Sequence, residues 1–236
     1  MEWEILLLAN LAVAFACVVQ LAAGIGLALV GAPLLIAIDP RLMPVPFVLA
    51  ALPLLFGQWR ANSGAVPRGM LAPALLGVAI GTAMGMGLAA AWPALASRRG
   101  YGLVILLAVA LAMAVPGLRP TRPMLTGAGL ASGVMGGFAG VHGPLMGLVV
   151  SHLPAHAVRG LLGLFWLLAQ SMLLLMAVPA GRLGWTEMEF AALLLPGVAL
   201  GAALSGPGRR WLHGPRLRWA ILAMSAAGGI VLVAAG

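Results

Sequence analysis

Long apolar runs with almost no charge restrict what this chain can fold into more than any other feature. The first run extends from Ile5 to Ile38, and comparable runs fill most of the remaining sequence. A helix that crosses a bilayer needs about 20 consecutive apolar residues, whereas a transmembrane barrel shows alternating segments of about ten residues. We therefore predict an all-α integral membrane protein.

Composition agrees with this fold class and argues against a soluble one. The chain is 63% hydrophobic and 8% charged, whereas a soluble domain is about half apolar and about a quarter charged. At about 20 residues per crossing plus short turns, the 236 residues allow about eight transmembrane helices. We predict a multi-pass protein of about eight spans.

The charge pattern points to lipid and anions rather than to nucleic acid. All 13 basic residues are arginine, five residues are acidic, and the formal net charge is +8. The arginines are scattered over turns between helices, which is typical of residues that orient a protein against an anionic leaflet. The same excess would attract an anionic cargo. We expect the lipid bilayer and a small anion as partners, and no nucleic acid.

Two of the apolar runs are interrupted by glycines followed by a proline. One reads GIGLALVGAP from Gly24 to Pro33, and the other reads GVMGGFAGVHGP from Gly133 to Pro144. Glycine weakens a helix by about 1 kcal/mol relative to alanine, and an interior proline removes a backbone hydrogen bond. Unpaired backbone within a membrane is tolerated only where it faces protein or a water-filled cavity. The interruptions therefore predict broken helices that line a binding site.

The two halves of the chain repeat one another. Pro33 and Pro144 lie 111 positions apart, and the glycine-rich stretch Gly77–Gly85 matches Gly197–Ser205 at a separation of 120. Internal duplication is common among secondary transporters. We predict two four-helix repeats, and the first helix of each repeat is broken near the membrane midplane. The predicted repeats are residues 1–116 and 124–236, joined by a linker at about 117–123.

A half-helix that begins in mid-membrane would form an anion site without a buried cationic side chain. Its first backbone N–H groups are free and together carry about half a positive charge, so helix N-termini bind anions readily. Proline favours the first turn of a helix, so Pro33 and Pro144 fit the starts of half-helices as well as interruptions. The alternative is that the glycines only permit close helix packing. The small residues predicted to supply amides or open space are Gly26, Gly31, Ala32, Gly140 and Gly143.

His142 and Arg159 are the ionisable candidates for substrate binding. A neutral imidazole would hydrogen-bond an anion, and a protonated one would neutralise it and couple transport to protons. Ionisable residues within a membrane are functional by default, but a packing histidine is the alternative for His142. Arg159 would either anchor an anion or extend its guanidinium to the membrane interface.

Three glutamines, Gln20, Gln58 and Gln170, lie within or at the end of apolar spans. A buried amide needs a hydrogen-bond partner. Each of these side chains therefore contacts the cargo or bonds to a neighbouring helix, and both alternatives stay open. Gln170 lies well inside its predicted helix, so we expect it to be the best placed of the three.

The sequence gives no indication of an enzyme, a metal or a cofactor. His152 and His156 have the i, i+4 spacing of helical metal ligands, but Pro154 between them argues against a continuous helix. No Gly-x-Ser-x-Gly element and no P-loop accompanies them. We therefore predict neither catalysis nor a bound metal or cofactor.

Taken together, these motifs resemble those of the sulfite exporter TauE/SafE family, also called the toluene-sulfonate uptake permease family. The run from Gly24 to Leu35, followed by Asp39-Pro40-Arg41, is similar to the first-repeat motif of that family. The run from Gly136 to Pro144, with Arg159 fifteen residues further on, resembles its second-repeat motif. The glycine-rich third and seventh helices fit as well, so the resemblance covers essentially the whole chain.

The resemblance implies an eight-helix secondary carrier of sulfur-containing or organic anions in the bacterial inner membrane. We accordingly predict transport of sulfite or an organosulfonate by alternating access. A passive anion channel and an intramembrane metal-dependent enzyme are the alternatives. The chain departs from the family pattern at Leu27-Ala28, where many members have further glycines, and at His142, a place usually given to glycine. The coupling ion and homo-oligomerisation stay open.

Overall fold

The computed structural model of the protein describes residues 2–63, 68–114, 120–142, 145–211 and 215–236. These residues form ten α-helices and short 3-10 turns, with no β-strand among them. The predicted all-α class is therefore confirmed. In chain order the helices are α1 (Trp3–Ala23), α2 (Leu27–Ile38), α3 (Val45–Arg60), α4 (Leu71–Ala91), α5 (Arg98–Ala114), α6 (Arg122–Ala139), α7 (Leu145–Val149), α8 (Ala155–Ala177), α9 (Trp185–Trp211) and α10 (Pro215–Ala235).

Four of the described helices are long and apolar enough to cross a membrane. They are α1, α4, most of α8 (His156–Ala177) and most of α9 (Trp185–Gly206), and shorter apolar helices include α2 and α3. Large apolar side chains such as Leu76 and Leu175 remain exposed, as expected for residues that face lipid. The chain is a multi-pass membrane protein, while the number of eight spans stays a prediction.

The first interruption folds α2 back along α1. After Ala23, Gly24 adopts a left-handed conformation (φ 78°) that ends α1 and that suits glycine. A Cβ built on Gly31 would lie 3.3 Å from the Cβ of Ala16, whereas a helix continuing in one direction would hold these residues about 20 Å apart. The two helices therefore form an antiparallel hairpin. The break comes at the end of a 21-residue helix, which is long enough to cross the membrane by itself.

Pro33 does not begin a half-helix, so this part of the sequence prediction is wrong. It lies inside α2, which begins at Leu27, because Gly24 and Gly26 already provide the turn with positive φ angles. The pyrrolidine ring removes one hydrogen bond of the helix. The ring packs against α10, where a Cβ built on Gly228 would lie 2.5 Å from the Cβ of Pro33. Pro33 therefore shapes a helix contact.

The second interruption begins with the same cap as the first. Gly140 follows α6 in the left-handed conformation (φ 71°), as Gly24 follows α1, and each glycine donates its N–H to the carbonyl four residues earlier. The five-residue helix α7 comes after the turn. Gly143 and Pro144 lie outside the described residues, so a helix start at Pro144 stays a prediction.

The linker predicted at about 117–123 overlaps the start of α6. Arg122 and Pro123, assigned to the linker, form the first turn of α6, a position that suits proline. Residues 115–119 of the linker region lie outside the described part of the chain. Helix α9 continues past Gly206 to Trp211, and residues 212–214 are again outside the description.

Helices α4 and α6 form the most extensive helix contact, through glycines on both sides. Gly77, Gly81 and Gly85 of α4 face the α6 backbone, and a Cβ on Gly81 would overlap the carbonyl oxygen of Leu130. Gly133 of α6 faces the α4 backbone in the same way. Small residues let helix backbones approach closely in a membrane. The stripe Gly77–Gly85 therefore serves close packing of α4 against α6.

Helices α1 and α9 pack in a comparable way, with an added polar clamp. Gly197 and Gly201 of α9 face Asn10 and Ala14 of α1. Oδ1 of Asn10 accepts the Gly197 N–H at 2.6 Å, and its Nδ2 donates to the Leu193 carbonyl at 3.0 Å. These two backbone groups pair with each other in a regular α-helix, so Asn10 enters the hydrogen-bond ladder of α9. Further extensive contacts join α3 to α8 and α5 to α10.

Candidate functional site

A small, partly polar cavity lies where the α1–α2 turn meets α3, α8 and the turn after α6. Its volume is about 20 Å³, which gives room for about one water molecule. Amide and imidazole groups share its surface with apolar side chains. The lining residues are Gln20, Ile25, Gly26, Leu27, Ala28, Leu29, Leu55, His142, Trp166 and Gln170.

The first turn of α2 opens into this cavity. Gly26, at φ 120°, directs the chain from the turn into the helix. The Leu27 N–H donates to Oε1 of Gln20 at 3.0 Å. The next two amides, those of Ala28 and Leu29, have no hydrogen-bond acceptor among the described residues. Free amides at a helix N-terminus carry partial positive charge, so this corner of the cavity attracts an anion.

Gln20 holds the α1–α2 turn through both polar atoms of its side chain. Nε2 donates to the Gly24 carbonyl at 3.1 Å and to Oε1 of Gln58 at 3.0 Å, while Oε1 accepts the Leu27 N–H. Gln58 in turn donates from Nε2 to the Arg159 carbonyl at 3.1 Å. This series of hydrogen bonds joins α1, α2, α3 and α8 and fixes the direction of the α2 N-terminus.

His142 presents a buried imidazole at the cavity. The residue is only 7% exposed, and neither Nδ1 nor Nε2 has a hydrogen-bond partner among the residues that the structure describes. Gly136 makes room for the ring, since a Cβ built there would lie 2.5 Å from Nε2. The ring centroid lies 6.2 Å from that of Trp166. Because a buried polar group without a partner costs free energy, these nitrogens are the leading candidates for contact with a ligand.

Helix α8 contributes Trp166 and Gln170, which are one helical turn apart on the same face. Oε1 of Gln170 is buried and has no hydrogen-bond partner within the described ranges, and a 180° rotation of the amide would present its NH₂ group instead. Trp166 was not among the predicted site residues. The sequence does contain an indication of this role, because Trp166 precedes Gln170 by four residues and therefore lies on the same face of the helix.

Three small residues predicted for the site lie away from the cavity lining. Gly31 packs against α3, where a Cβ would lie 2.7 Å from Cζ of Phe47, and Ala32 is fully buried within α2. A Cβ on Gly140 would lie 2.6 Å from the Cβ of Pro44. At these positions the small side chain permits close packing, which was the alternative interpretation from the sequence.

Arg159 and Gln58 flank the cavity rather than line it. The Arg159 side chain runs past the α1–α2 turn, with Cγ 3.3 Å from a Cβ built on Gly24, and its Nε is buried with no hydrogen-bond partner among the described residues. Gln58 reaches the cavity only through Gln20. Gly143 lies outside the described residues, and its contact with the cargo stays a prediction.

The histidine pair considered as metal ligands is divided between two elements. His152 lies in the turn before α8 and His156 in its first turn, with Pro154 between them at the helix boundary. In the part of the chain that the structure describes, no group of three or more histidine, cysteine, aspartate or glutamate side chains is arranged to hold a metal ion.

A protein-family model described as Sulfite exporter TauE/SafE matches residues 9–232 of the chain. The chain belongs to the sulfite exporter TauE/SafE family. The TauE/SafE match extends from α1 to α10 and includes both interruptions, so it confirms the resemblance carried by the motifs. Neither a curated protein nor a solved structure matches this chain.

Membership in the TauE/SafE family makes this multi-pass protein a transporter of the sulfite-exporter type. The cavity is a place where the described structure brings free backbone amides together with unpartnered polar side chains. Sites of this kind occur at broken helices of secondary transporters. The cavity is therefore the candidate site for the cargo.

Proposed function

We propose that the protein is a secondary transporter that moves a small sulfur-containing anion, sulfite or an organosulfonate, across the bacterial inner membrane. The cargo binds in the cavity between the α1–α2 turn, His142 and Gln170. The observation that carries this proposal is the buried imidazole of His142, whose two ring nitrogens have no partner in the described part of the chain, beside the free first-turn amides of α2 in the same cavity. Helix N-termini favour anions through their dipole and their free N–H groups.

Each polar group of the cavity has a separate task in this proposal. The Ala28 and Leu29 amides donate to the oxygens of the anion, and the helix dipole supplies partial positive charge. His142 donates a further hydrogen bond and, when protonated, carries a proton with the cargo. Gln170 presents its NH₂ group to the anion after rotation of the amide. Gln20 keeps the α2 amides directed at the cavity because it binds the Leu27 N–H.

Arg159 contributes through its charge in this proposal. It lies beside the α1–α2 turn with its Nε unpartnered, close to the network that holds Gln20. An arginine at this position attracts an anion toward the turn. If the Arg159 side chain moved, its guanidinium group could form two parallel hydrogen bonds with an entering oxyanion. We expect loss of Arg159 to weaken binding less than loss of His142.

The two four-helix repeats, residues 1–116 and 124–236, are the proposed moving parts. Helices pair across the repeats in a reciprocal pattern: α1 packs on α9 as α6 packs on α4, and α3–α8 and α5–α10 join equivalent helices. Transporters built from internal repeats commonly alternate access by rocking one repeat or bundle against the other around a central site. The reciprocal pairing supports this mechanism.

Matching positions also make the cross-repeat contacts. Gly197 faces the carbonyl of Asn10, and Gly77 faces the carbonyl of Thr126. Asn10 and Thr126 lie 116 residues apart in the sequence. The two left-handed glycines that cap α1 and α6, at 24 and 140, have the same separation. This common register supports duplication of one ancestral four-helix unit.

The cavity volume of about 20 Å³ also bears on the mechanism. A sulfur oxyanion has at least four heavy atoms and needs more room than one water molecule. Side chains at the cavity must therefore move when the cargo enters. Alternating access requires rearrangements of this kind, because the central site opens to one side of the membrane at a time.

The proposal is tested by counterflow in proteoliposomes that contain the purified protein. Vesicles loaded with unlabelled sulfite should transiently accumulate external ³⁵S-sulfite, and the initial rate should saturate. His142→Ala should abolish accumulation, while Arg98→Ala, an exposed residue at the start of α5, should retain it. Flux that fails to saturate and shows no counterflow would indicate a passive channel. Equal loss in both variants would contradict the proposed site.

A further inference from the structure

The described lining of the cavity contains no permanently charged cation, which is unusual for an anion site. None of its described lining residues is arginine, lysine, aspartate or glutamate, and His142 is the one titratable group among them. The residues that follow His142 in the sequence are glycine and proline, which carry no charge. While His142 is neutral, the positive potential must therefore come from partial charges.

The strongest of these partial charges is the α2 N-terminus. A helix end contributes about half an elementary charge, and the Gln20 and Gln170 amides are neutral dipoles. The remaining surface is apolar, with Ile25, Leu55 and Trp166 among its members. In apolar surroundings an unmatched charge is expensive, so the charge of the cargo has to be close to that of the site.

Arg159 carries a full positive charge beside the α1–α2 turn. Its Cγ packs on Gly24, and its backbone carbonyl is bound by Gln58. It is absent from the cavity lining. Its charge attracts a dianion more strongly than a monoanion, so a preference for one negative charge has to come from the lining of the cavity itself.

We infer that the cavity accepts a singly charged oxyanion and rejects a doubly charged one. This inference rests on the proposed function and narrows it: sulfonates and the singly protonated form of sulfite would be bound, and sulfate would not. One negative charge is matched by the helix end together with hydrogen bonds from the amides and the imidazole. A second negative charge would stay unmatched among apolar side chains.

Direct binding of two ions of fixed charge tests the inference. Purified protein is titrated with ³⁵S-methanesulfonate at pH 8 and constant ionic strength, and unlabelled ethanesulfonate or sulfate competes. Ethanesulfonate should compete at least about tenfold more strongly than sulfate, because the second charge of sulfate lacks a partner in a low-dielectric site. Arg159→Gln should weaken sulfate at least as much as ethanesulfonate, because a positive charge attracts a dianion more strongly, so the preference for ethanesulfonate should persist or increase.

A second test introduces a positive charge into the cavity at position 170 and compares it with an uncharged substitution of similar size. Gln170→Lys should reduce the preference for ethanesulfonate over sulfate by at least about tenfold, whereas Gln170→Met, of similar size and without charge, should preserve it. Sulfate that competes as well as ethanesulfonate in the wild-type protein would overturn the inference and leave the proposed function intact. Saturable binding of neither ion, combined with no sulfite counterflow, would overturn both.

Discussion

Nε2 of Gln20 in α1 donates to Oε1 of Gln58 in α3 at 3.0 Å, and this bond is the centre of the network beside the candidate site. Gln20 binds the first amide of α2, and Gln58 binds the Arg159 carbonyl of α8. Both side chains are almost fully buried. These two amide groups therefore link three consecutive helices, α1, α2 and α3, to the distant helix α8 at the turn.

Replacing Gln58 with Met should disturb this network without changing side-chain volume much. One hydrogen bond to Gln20 and one to the Arg159 carbonyl are lost, and interhelical bonds of this kind contribute about 0.6 to 1.7 kcal/mol in membranes. We expect a lower melting temperature in detergent and a larger KM for sulfite counterflow. Ser63→Ala, at the exposed end of α3, is the control and should change neither. An unchanged KM would argue against a positioning role for Gln58.

Gly136→Ala should displace the His142 ring. A Cβ at this position would lie 2.5 Å from Nε2, closer than van der Waals contact allows, so the imidazole must leave its place at the cavity. Gly127→Ala on the same helix meets no atom within 4 Å and should bind anions as the wild type does. Equilibrium binding of ³⁵S-sulfite should fall at least about tenfold in the first variant only, by analogy with the loss of a hydrogen bond to a charged group.

Gly81→Ala should destabilise the contact between α4 and α6. The added methyl would overlap the Leu130 carbonyl, and overpacking of this kind costs about 1 to 3 kcal/mol. Gly87→Ala lies on the same helix in open space and should stabilise the protein by up to about 1 kcal/mol through helix propensity. The two variants should move the thermal unfolding midpoint in opposite directions. Shifts of equal sign and size would contradict the packing described for this pair.

Asn10→Ala should weaken the junction of α1 and α9. The Gly197 N–H and the Leu193 carbonyl would each lose a side-chain partner, at a cost of about 1 to 2 kcal/mol for the pair of bonds. Thr126→Ala is the matched control, because the Thr126 hydroxyl bonds only within its own helix, to the Arg122 carbonyl. Thermal unfolding in detergent measures the difference. Equal stability of the two variants would show that the clamp contributes nothing.

Several features of the fold were predictable from the sequence because they depend on local composition. The apolar runs specified helices, and the glycine stripe at Gly77–Gly85 specified a close helix contact, which the α4–α6 packing confirms. The resemblance to the TauE/SafE family followed from motifs around the two interruptions and is confirmed by the family match. Each of these features is encoded by residues close together in the chain.

The position of the first break was predicted only approximately. Glycine and proline both interrupt a helix, and the pattern did not say which of them would form the turn. Gly24 and Gly26 form it by adopting positive φ angles, while Pro33 is tolerated within α2 because it packs against the small Gly228 of α10. A partner nearly 200 residues away leaves no local signal.

The candidate site also combines features that were predictable from the sequence with features that depend on tertiary packing. From the sequence alone, His142, Gln20 and Gln170 could be recognised as polar groups that needed a partner in an apolar setting. Only the tertiary structure decided which of these groups are satisfied. Gln20 forms hydrogen bonds that hold the α1–α2 turn, whereas His142 and Gln170 have side-chain atoms with no partner among the described residues. The sequence determines that polar groups are buried, because burial follows from hydropathy along the chain. Which of them are satisfied depends on the packing of helices from both halves, and hydropathy carries no information about that packing.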